Sequence, residues 1–232
     1  MQKTFTYIII TLLLSGLLTA CSGDGADYRI GVSQCAKGRW REKVNQEILA
    51  AQHLYEKDVK VIIASADDNT EQQIAQIDSL VAQDIDLLVV APNEAEPIAK
   101  AISRVRAKGI PVICFDRSVE DDNYTAFIGG SNQEAGHALG VNAVDIAHGI
   151  KDGRKPLIME ITGMMSSTPA QERHQGFAQA MAGHPELEYV CHESDWSSEE
   201  SYRIVMEQIR TGRLPDIVFS NLFGILNKLL YS

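Results

Sequence analysis

The sequence predicts an α/β protein built from two doubly wound parallel-sheet lobes. Two observations predict this class. Short, almost continuously apolar segments alternate along the chain with longer segments whose apolar residues recur every three or four positions. The apolar segments contain four to seven residues, which is typical of strands that are buried on both faces by covering helices.

Residues 28–130 carry the first series of elements and are predicted to form the N-terminal lobe. The predicted elements are a strand at 29–34, a helix at 39–56, a strand at 59–65, a helix capped by Asn69 or Thr70 and reaching Val81, a strand at 86–91, a helix at 94–108, and strands at 110–115 and 124–129. Each predicted helix has an apolar stripe on one face, and Gly109 marks the end of the third helix.

Residues 131–220 repeat this alternation and are predicted to form part of a C-terminal lobe, with the join near 129–131. Its elements are a helix at 132–148, a strand at 156–161, a helix at 169–181, a strand at 187–193, a helix at 198–210 and a strand at 216–220. Gly136 and Gly140 fall on the first of these helices and are predicted to be close-packing positions.

The first twenty residues predict an export signal. Lys3 precedes an apolar run at 7–18, which is too short to cross a bilayer comfortably but suits a signal peptide. The following Leu-Thr-Ala-Cys resembles a bacterial lipobox, so Cys21 is predicted to be lipidated and to anchor the protein to a membrane facing the periplasm. Residues 21–27 then form a short tether. A plain signal peptide and an uncleaved anchor are the alternatives.

Composition excludes several classes of partner. The net charge is −10, whereas nucleic-acid binding requires a basic surface. Cys35, Cys114 and Cys191 remain beyond the lipobox, and an odd number argues against a disulfide framework. Cys114 and Cys191 are predicted to be small buried hydrophobic residues. No metal-ligand spacing occurs, and no cofactor is predicted.

Enzyme signatures are also missing from this sequence. No GxGxxG follows the first strand, no P-loop is present, and "GMMSS" is not a nucleophile elbow. The sequence therefore predicts a protein that is not an enzyme, and a kinase activity would need a C-terminal part that is not in these 232 residues.

Polar side chains follow the predicted strands, and the carboxyl ends of parallel strands are where open sheets bind ligands. The stretch "PVICFDRS" ends on Asp116 and Arg117, and the other ends offer Gln34, Trp40, Asn93 and Arg173. A carboxylate accepts hydrogen bonds from hydroxyls, a guanidinium donates a fixed pair, and an indole covers the apolar face of a sugar ring. This set favours a carbohydrate site. A surface ion pair or a helix cap is the alternative for the Asp-Arg pair.

From residue 28 to about 219, the chain resembles the type I periplasmic sugar-binding proteins of the ribose-binding-protein class. The resemblance rests on "IGVSQ", "DLLVVAPNEAEPI", "GIPVICFDRS", "AFIGGSNQEAG" and "EITG" followed by "STPAQERHQGF", in that order. It implies that Asp116 and Arg117 clamp the sugar, that Arg173 reaches it from the second lobe, and that Trp40 stacks on it. Gln34 and Asn93 are further candidates.

One subfamily is more similar still. "GVSQCAKGRWREKVNQEI" resembles the periplasmic sensor domain of hybrid two-component systems. The resemblance implies binding of a monosaccharide-like ligand by lobe closure, for sensing or uptake, with a histidine kinase or a transporter as partner. A lac-repressor-class regulator would need a helix-turn-helix where this chain has its apolar leader.

The C-terminus departs from the family pattern. The strand at 217–220 should lead into an Asn-Asp pair, but Leu222 follows Asn221, and residues 221–232 are apolar and off-pattern. The departure predicts a C-terminally truncated chain with an aberrant tail. The alternative function is therefore a non-functional remnant of a hybrid two-component sensor histidine kinase.

Overall fold

The computed structural model describes residues 26–55 and 58–221. The predicted signal peptide, the lipidation site at Cys21, most of the tether and the tail from residue 222 onward lie outside the described residues. Within the described ranges, no helix combines the length and the apolar character that crossing a membrane would require.

The N-terminal lobe is a five-stranded parallel sheet in the order β2-β1-β3-β4-β5. Its elements are β1 (Tyr28–Gln34), α1 (Arg39–Gln52), a 3₁₀ turn (His53–Tyr55), β2 (Val59–Ser65), α2 (Thr70–Val81), β3 (Leu87–Val90), α3 (Ala95–Ala107), β4 (Val112–Phe115) and β5 (Ala126–Ile128). The main core lies between this sheet and helices α2 and α3, as the apolar stripes of those helices predict.

The described part of the C-terminal lobe contains a three-stranded parallel sheet in the order β7-β6-β8. Its elements are α4 (Asn132–His148), β6 (Leu157–Thr162), α5 (Thr168–Met181), β7 (Glu188–Glu193), α6 (Ser198–Arg210) and β8 (Ile217–Ser220). The predicted class, two parallel α/β lobes, is confirmed. Both faces of β6 are buried, one against α4 and α5 and the other against α6.

The strand orders place a topological switch in each lobe. In the N-terminal lobe the chain leaves β1 for β2 on one side and reaches β3 on the other. In the C-terminal lobe it leaves β6 for β7 and then returns to the opposite side of β6 with β8. The loops after β1 and β3, and those after β6 and β8, therefore diverge and leave a crevice at the carboxyl ends of the strands.

Local chemistry sets the starts of two helices. The side chain of Asn69 accepts a hydrogen bond of 2.8 Å from the backbone N–H of Gln72, which confirms the predicted cap of α2. Ser131 does the same for α4 through the N–H of Glu134. Both caps satisfy donors that the first turn of a helix leaves unpaired.

Helices α4 and α5 cross at very short range because glycines line their contact. A Cβ built on Gly136 would lie 2.1 Å from the backbone oxygen of Arg173, and one on Gly176 would lie 2.0 Å from the backbone oxygen of Gln133. A Cβ on Gly140 would lie 2.6 Å from the Cβ of Ala180. The predicted close-packing role of Gly136 and Gly140 is thus confirmed. This contact fixes α5, which carries Arg173, against the start of the second lobe.

One prediction about the cysteines is wrong. Cys114 is buried in β4, as predicted, but Cys191 is exposed. Cys35, for which no prediction was made, is buried just after β1. Cys191 lies on β7, which is an edge strand of the described sheet. An edge strand has a neighbouring strand on one side only, so its side chains can remain exposed even where the surrounding sequence is apolar.

Candidate ligand-binding site

A cavity of about 470 Å³ lies between the two lobes, at the carboxyl ends of their strands. It is lined by Lys37, Gly38, Arg39, Trp40, Arg41, Asp116, Arg117, Pro169, Arg173, Trp196 and Asn221. Four of the six residues selected from the sequence, namely Trp40, Asp116, Arg117 and Arg173, thus lie on one surface. The first three come from the N-terminal lobe, and Arg173 comes from the C-terminal lobe.

Asp116 follows β4 and has a φ of 62°. Aspartate tolerates this left-handed region better than most residues, and such strain concentrates at functional sites. The backbone N–H of Arg117 donates to the carbonyl of Phe115 at 2.6 Å, which closes a tight turn around Asp116. The turn brings the Asp116 carboxylate to the cavity wall.

Asp116 pairs with an arginine that is distant in the sequence, so the ion pair considered as an alternative for Asp116 and Arg117 does not form. Nη2 of Arg41 donates to Oδ2 of Asp116 at 2.6 Å. Nη1 of Arg41 also reaches Oε1 of Gln34, at 3.3 Å. Neighbouring residues beyond a strand end can point in different directions, so Arg41, from the first turn of α1, fills the position opposite the carboxylate.

Arg117 is instead held by backbone oxygens. Its Nη1 donates to the carbonyl oxygens of Pro92, at 3.4 Å, and Asn93, at 3.2 Å. Its guanidinium also lies 5.2 Å from the centre of the Trp196 ring, which is a cation–π arrangement. Only 7% of Arg117 is exposed, and this burial lowers the pKa of its guanidinium. Arg117 therefore joins the loop after β3 to the aromatic wall of the second lobe.

Arg173 approaches from the second lobe. Its Nε donates to Oδ1 of Asn132 at 2.9 Å, and this bond ties α5 to the start of α4. Burial lowers the pKa of Arg173; the Asp116 carboxylate acts against this shift, and the charge of Arg117 adds to it. The buried guanidinium of Arg117 and the partly buried one of Arg173 therefore face the same cavity, where hydroxyl or carboxylate oxygens of a ligand would be favourable acceptors.

Two tryptophans form the aromatic walls. Trp40 is 54% exposed, and its ring stacks on Phe115 with an interplanar angle of 10° and a centroid separation of 6.2 Å. Trp196 follows β7, has a φ of 67° and lies against the backbone of Gly163. The Arg41 guanidinium also lies 4.5 Å from the centre of the Trp40 ring. The exposed part of the Trp40 indole is suited to the CH-rich face of a sugar ring.

Gln34 and Asn93 do not line the cavity, since each is 1% exposed. Gln34 lies behind Arg41 and donates to Asn45 at 2.8 Å. The backbone N–H of Asn93 donates to Gln73 at 2.9 Å, and its carbonyl receives the bond from Arg117. These two residues support the arginines of the cavity from behind.

Seven of the eleven cavity residues were not selected from the sequence, and three of these seven, Arg41, Trp196 and Asn221, carry polar groups in notable positions. Asn221 is 8% exposed, and neither polar atom of its side-chain amide has a hydrogen-bond partner among the described residues. The indole Nε1 of Trp196 is also buried and has no hydrogen-bond partner among the described residues. Buried polar atoms nearly always have a partner, so these atoms are candidate contacts for a ligand or for water. Their position in the sequence could have identified Trp196 and Asn221 as candidate site residues, because each follows a strand.

The two lobes also touch directly beside the cavity. The backbone N–H of Ser118 donates to Oγ1 of Thr168 at 3.0 Å, and that hydroxyl donates to the carbonyl of Ser118 at 3.2 Å. The N–H of Ala95 donates to the carbonyl of Ser166 at 3.0 Å. These bonds join the loop after β4 and the start of α3 to the start of α5, so the two walls of the cavity face each other.

Gly163 offers a test of the aromatic wall. A Cβ at this position would lie 2.1 Å from Cε2 of Trp196, so the substitution Gly163→Ala is expected to push the indole from its place. We expect a shifted tryptophan emission spectrum and ligand binding that is weaker by up to ~10-fold, which corresponds to the loss of about one good aromatic contact. Gly183→Ala is the control, because no atom of the described residues lies within 4 Å of its added Cβ. An unchanged spectrum in Gly163→Ala would contradict this placement.

A family model described as the periplasmic binding protein domain matches residues 30–224. The chain belongs to this family. The resemblance to the type I periplasmic sugar-binding proteins is thereby confirmed, and membership implies a periplasmic location. The family consists of binding proteins, which confirms the prediction that this periplasmic binding protein is not an enzyme.

Individual relatives agree with this assignment. The chain is 26% identical to the ribose import binding protein RbsB of Bacillus subtilis over 233 aligned residues, which are 93% of this chain and 72% of the relative. It is 27% identical to the D-xylose-binding periplasmic protein of Escherichia coli, over 60% of this chain and 42% of that protein.

A solved structure is similar as well. It is the fructose binding periplasmic domain of the hybrid two component system BT1754, with 35% identity and a TM-score of 0.78. The match covers 83% of this chain and 63% of that domain. This chain therefore spans less than two thirds of the length of that domain.

Proposed function

We propose that this periplasmic binding protein binds a small carbohydrate, of monosaccharide size, between its two lobes. The observation that carries the proposal is that Trp40, Asp116, Arg117 and Arg173, from both lobes, line one and the same cavity. Its volume of about 470 Å³ is within the ordinary range for small-molecule sites.

Each part of the cavity has a role in this proposal. The Asp116 carboxylate accepts hydrogen bonds from ligand hydroxyls, while Arg117 and Arg173 donate to ligand oxygens. Trp40 and Trp196 cover the apolar faces of the ring. The side-chain amide of Asn221, which has no partner among the described residues, both donates and accepts. Since the contributing residues come from two lobes, binding favours the closed arrangement over an open one.

Sensing is the use that we favour over uptake. The fructose-binding sensor domain is 35% identical to this chain, against 26% for the ribose import protein. A histidine kinase partner follows from sensing, and a transporter would follow from uptake. We also propose that Cys21 carries the lipid anchor that holds the protein at the membrane.

Calorimetric titration of the purified mature chain against fructose, ribose, xylose, arabinose and galactose tests the proposal. We expect saturable binding of at least one sugar. We also expect a higher melting temperature, since ligand at 100 times its Kd stabilises a protein by about 2.7 kcal/mol. Arg173→Ala should weaken the same titration because it removes the donor of the second lobe. A folded chain that shows neither heat nor a thermal shift with any sugar would contradict the proposal and would favour the non-functional remnant.

A further inference from the structure

Glu160, in the middle of β6, is a charged residue in an apolar layer. It is 0% exposed, and its side chain points from the sheet toward α5. Its Oε2 accepts hydrogen bonds from Nδ1 of His174, at 2.8 Å, and from the hydroxyl of Tyr189. A buried carboxylate is costly unless its surroundings compensate it fully.

The compensation is incomplete among the described residues. The second oxygen of this carboxylate, Oε1 of Glu160, is buried and has no hydrogen-bond partner there. A network with a purely structural purpose would be expected to satisfy both oxygens. Besides His174 and Tyr189, the Cys191 thiol interacts with this carboxylate. A thiol is only a weak donor, so a cation would compensate the buried charge more fully.

Three different ligand types meet around this carboxylate. Sγ of Cys191 lies 3.6 Å from Nδ1 of His174, and one ligand atom each from Glu160, His174 and Cys191 lies within 4.8 Å of the other two. Bonds of about 2.0–2.3 Å to tetrahedral zinc place ligand atoms roughly 3.3–3.8 Å apart. The observed spacings need only small adjustments to reach that geometry.

Solvent can reach the cluster from one side. It lies between α5 and the edge strand β7, and the side chain of His174 is 33% exposed. Cys191 is exposed as well. We propose that Glu160, His174 and Cys191 bind a zinc ion, or a divalent cation of similar softness, with water in the remaining coordination position. Sulfur, nitrogen and carboxylate oxygen together are the ligands that zinc takes in proteins.

The site is separate from the carbohydrate cavity, because none of its three residues lines that cavity. It also escapes sequence inspection, since residues 160, 174 and 191 come from a strand, a helix and a second strand. Zinc motifs are recognised by short, fixed spacings, and these ligands have none. The proposal does not depend on the proposed function.

Zinc binding at this site must release protons. A cysteine binds zinc as the thiolate, so the thiol proton of Cys191 must leave when the metal binds. The sulfur becomes a thiolate bound to zinc, and its proton passes to the buffer. The affinity for zinc should therefore rise with pH.

Titrations of the metal-free protein with zinc chloride and with cobalt chloride test the proposal. We expect one saturable site, proton release that appears as a dependence of the heat on buffer ionisation enthalpy, and a thiolate-to-cobalt charge-transfer band. Cys191→Ser should remove the band and weaken zinc binding at least ~10-fold. Even the loss of a residue that only supports a metal ligand typically weakens metal binding by about 10- to 100-fold. Circular dichroism and the melting temperature of Cys191→Ser verify that the fold is intact, as expected for an exposed side chain.

A second cluster provides the control. His148 and His184 both contact Oε1 of Glu186, each at 2.9 Å, on the exposed surface. The His148→Ala variant should still form the cobalt band, and adding Cys191→Ser to that variant should still remove the band. The proposal is overturned if neither metal binds saturably, if no thiolate band forms, or if Cys191→Ser leaves the binding unchanged while His148→Ala abolishes it.

Discussion

Asp116→Ala is expected to abolish measurable carbohydrate binding. The substitution removes an acceptor of charge-assisted hydrogen bonds, each of which contributes about 1.5–3 kcal/mol. Losing two of them would weaken binding by roughly 100-fold or more. The substitution also leaves Arg41 without its carboxylate, and the side chain of Arg41 is 8% exposed. Titration calorimetry with a sugar that binds the wild type measures the first effect.

Stability should fall in the same variant. Breaking a fully buried ion pair costs about 3–5 kcal/mol, and the Asp116 side chain is 30% exposed, so we expect a loss of about 1–3 kcal/mol in the free energy of unfolding. Chemical denaturation measures this loss.

A double-mutant cycle separates the two effects. Adding Arg41→Met to Asp116→Ala removes the unpaired charge, so stability should partly recover while binding stays lost. The same cycle with Arg117→Met should show weaker coupling to Asp116, because Arg117 donates to backbone oxygens instead. Stronger coupling of Asp116 to Arg117 than to Arg41 would contradict the observed pairing.

Gly176→Ala is expected to produce a large loss of stability. Its Cβ would lie 2.0 Å from the backbone oxygen of Gln133 and 2.7 Å from the backbone nitrogen of His137. Backbone atoms of α4 cannot rotate away as a side chain can, so the two helices must separate. Overpacking of this kind costs about 1–3 kcal/mol and occasionally more, and we expect the upper end of that range. Helix propensity acts in the opposite direction, since alanine favours a helix by roughly 0.5–1 kcal/mol over glycine.

Thermal and urea denaturation measure this loss, and Gly183→Ala again serves as the control because the space around it is open. The control should stay within about 0.5 kcal/mol of the wild type. We also expect weaker sugar binding in Gly176→Ala, because Arg173 lies on the same helix. Equal unfolding free energies for the two variants would contradict the close crossing of α4 and α5.

Much of the fold could be predicted from local pattern. Apolar strands, amphipathic helices and the Asn69 cap depend on neighbours within a few residues, and the structure reproduces them. Strand ends also predicted that Trp40, Asp116, Arg117 and Arg173 would lie together, since the carboxyl ends of parallel strands share one edge of a sheet. Family motifs then supplied the identification that the comparisons confirm.

Partners that are distant in the sequence could not be predicted in this way. The pairing of Asp116 with Arg41 joins residues 75 positions apart, whereas adjacency in the sequence offered only Arg117 as an alternative partner. Gln34 and Asn93 follow strands but turn away from the cavity to support its arginines. Cys191 was expected to be buried, although its strand lies at an edge of the described sheet.

The sequence by itself determined the class of fold, the family and the edge of each sheet at which a ligand site would lie. These properties follow from hydrophobic periodicity and from motifs that are short and local. Only the tertiary structure decided which side chains face the cavity, which charges pair, and that Glu160, His174 and Cys191 meet at all. The directions of side chains beyond a strand end, and the meeting of separate elements, depend on packing between segments that no local pattern records.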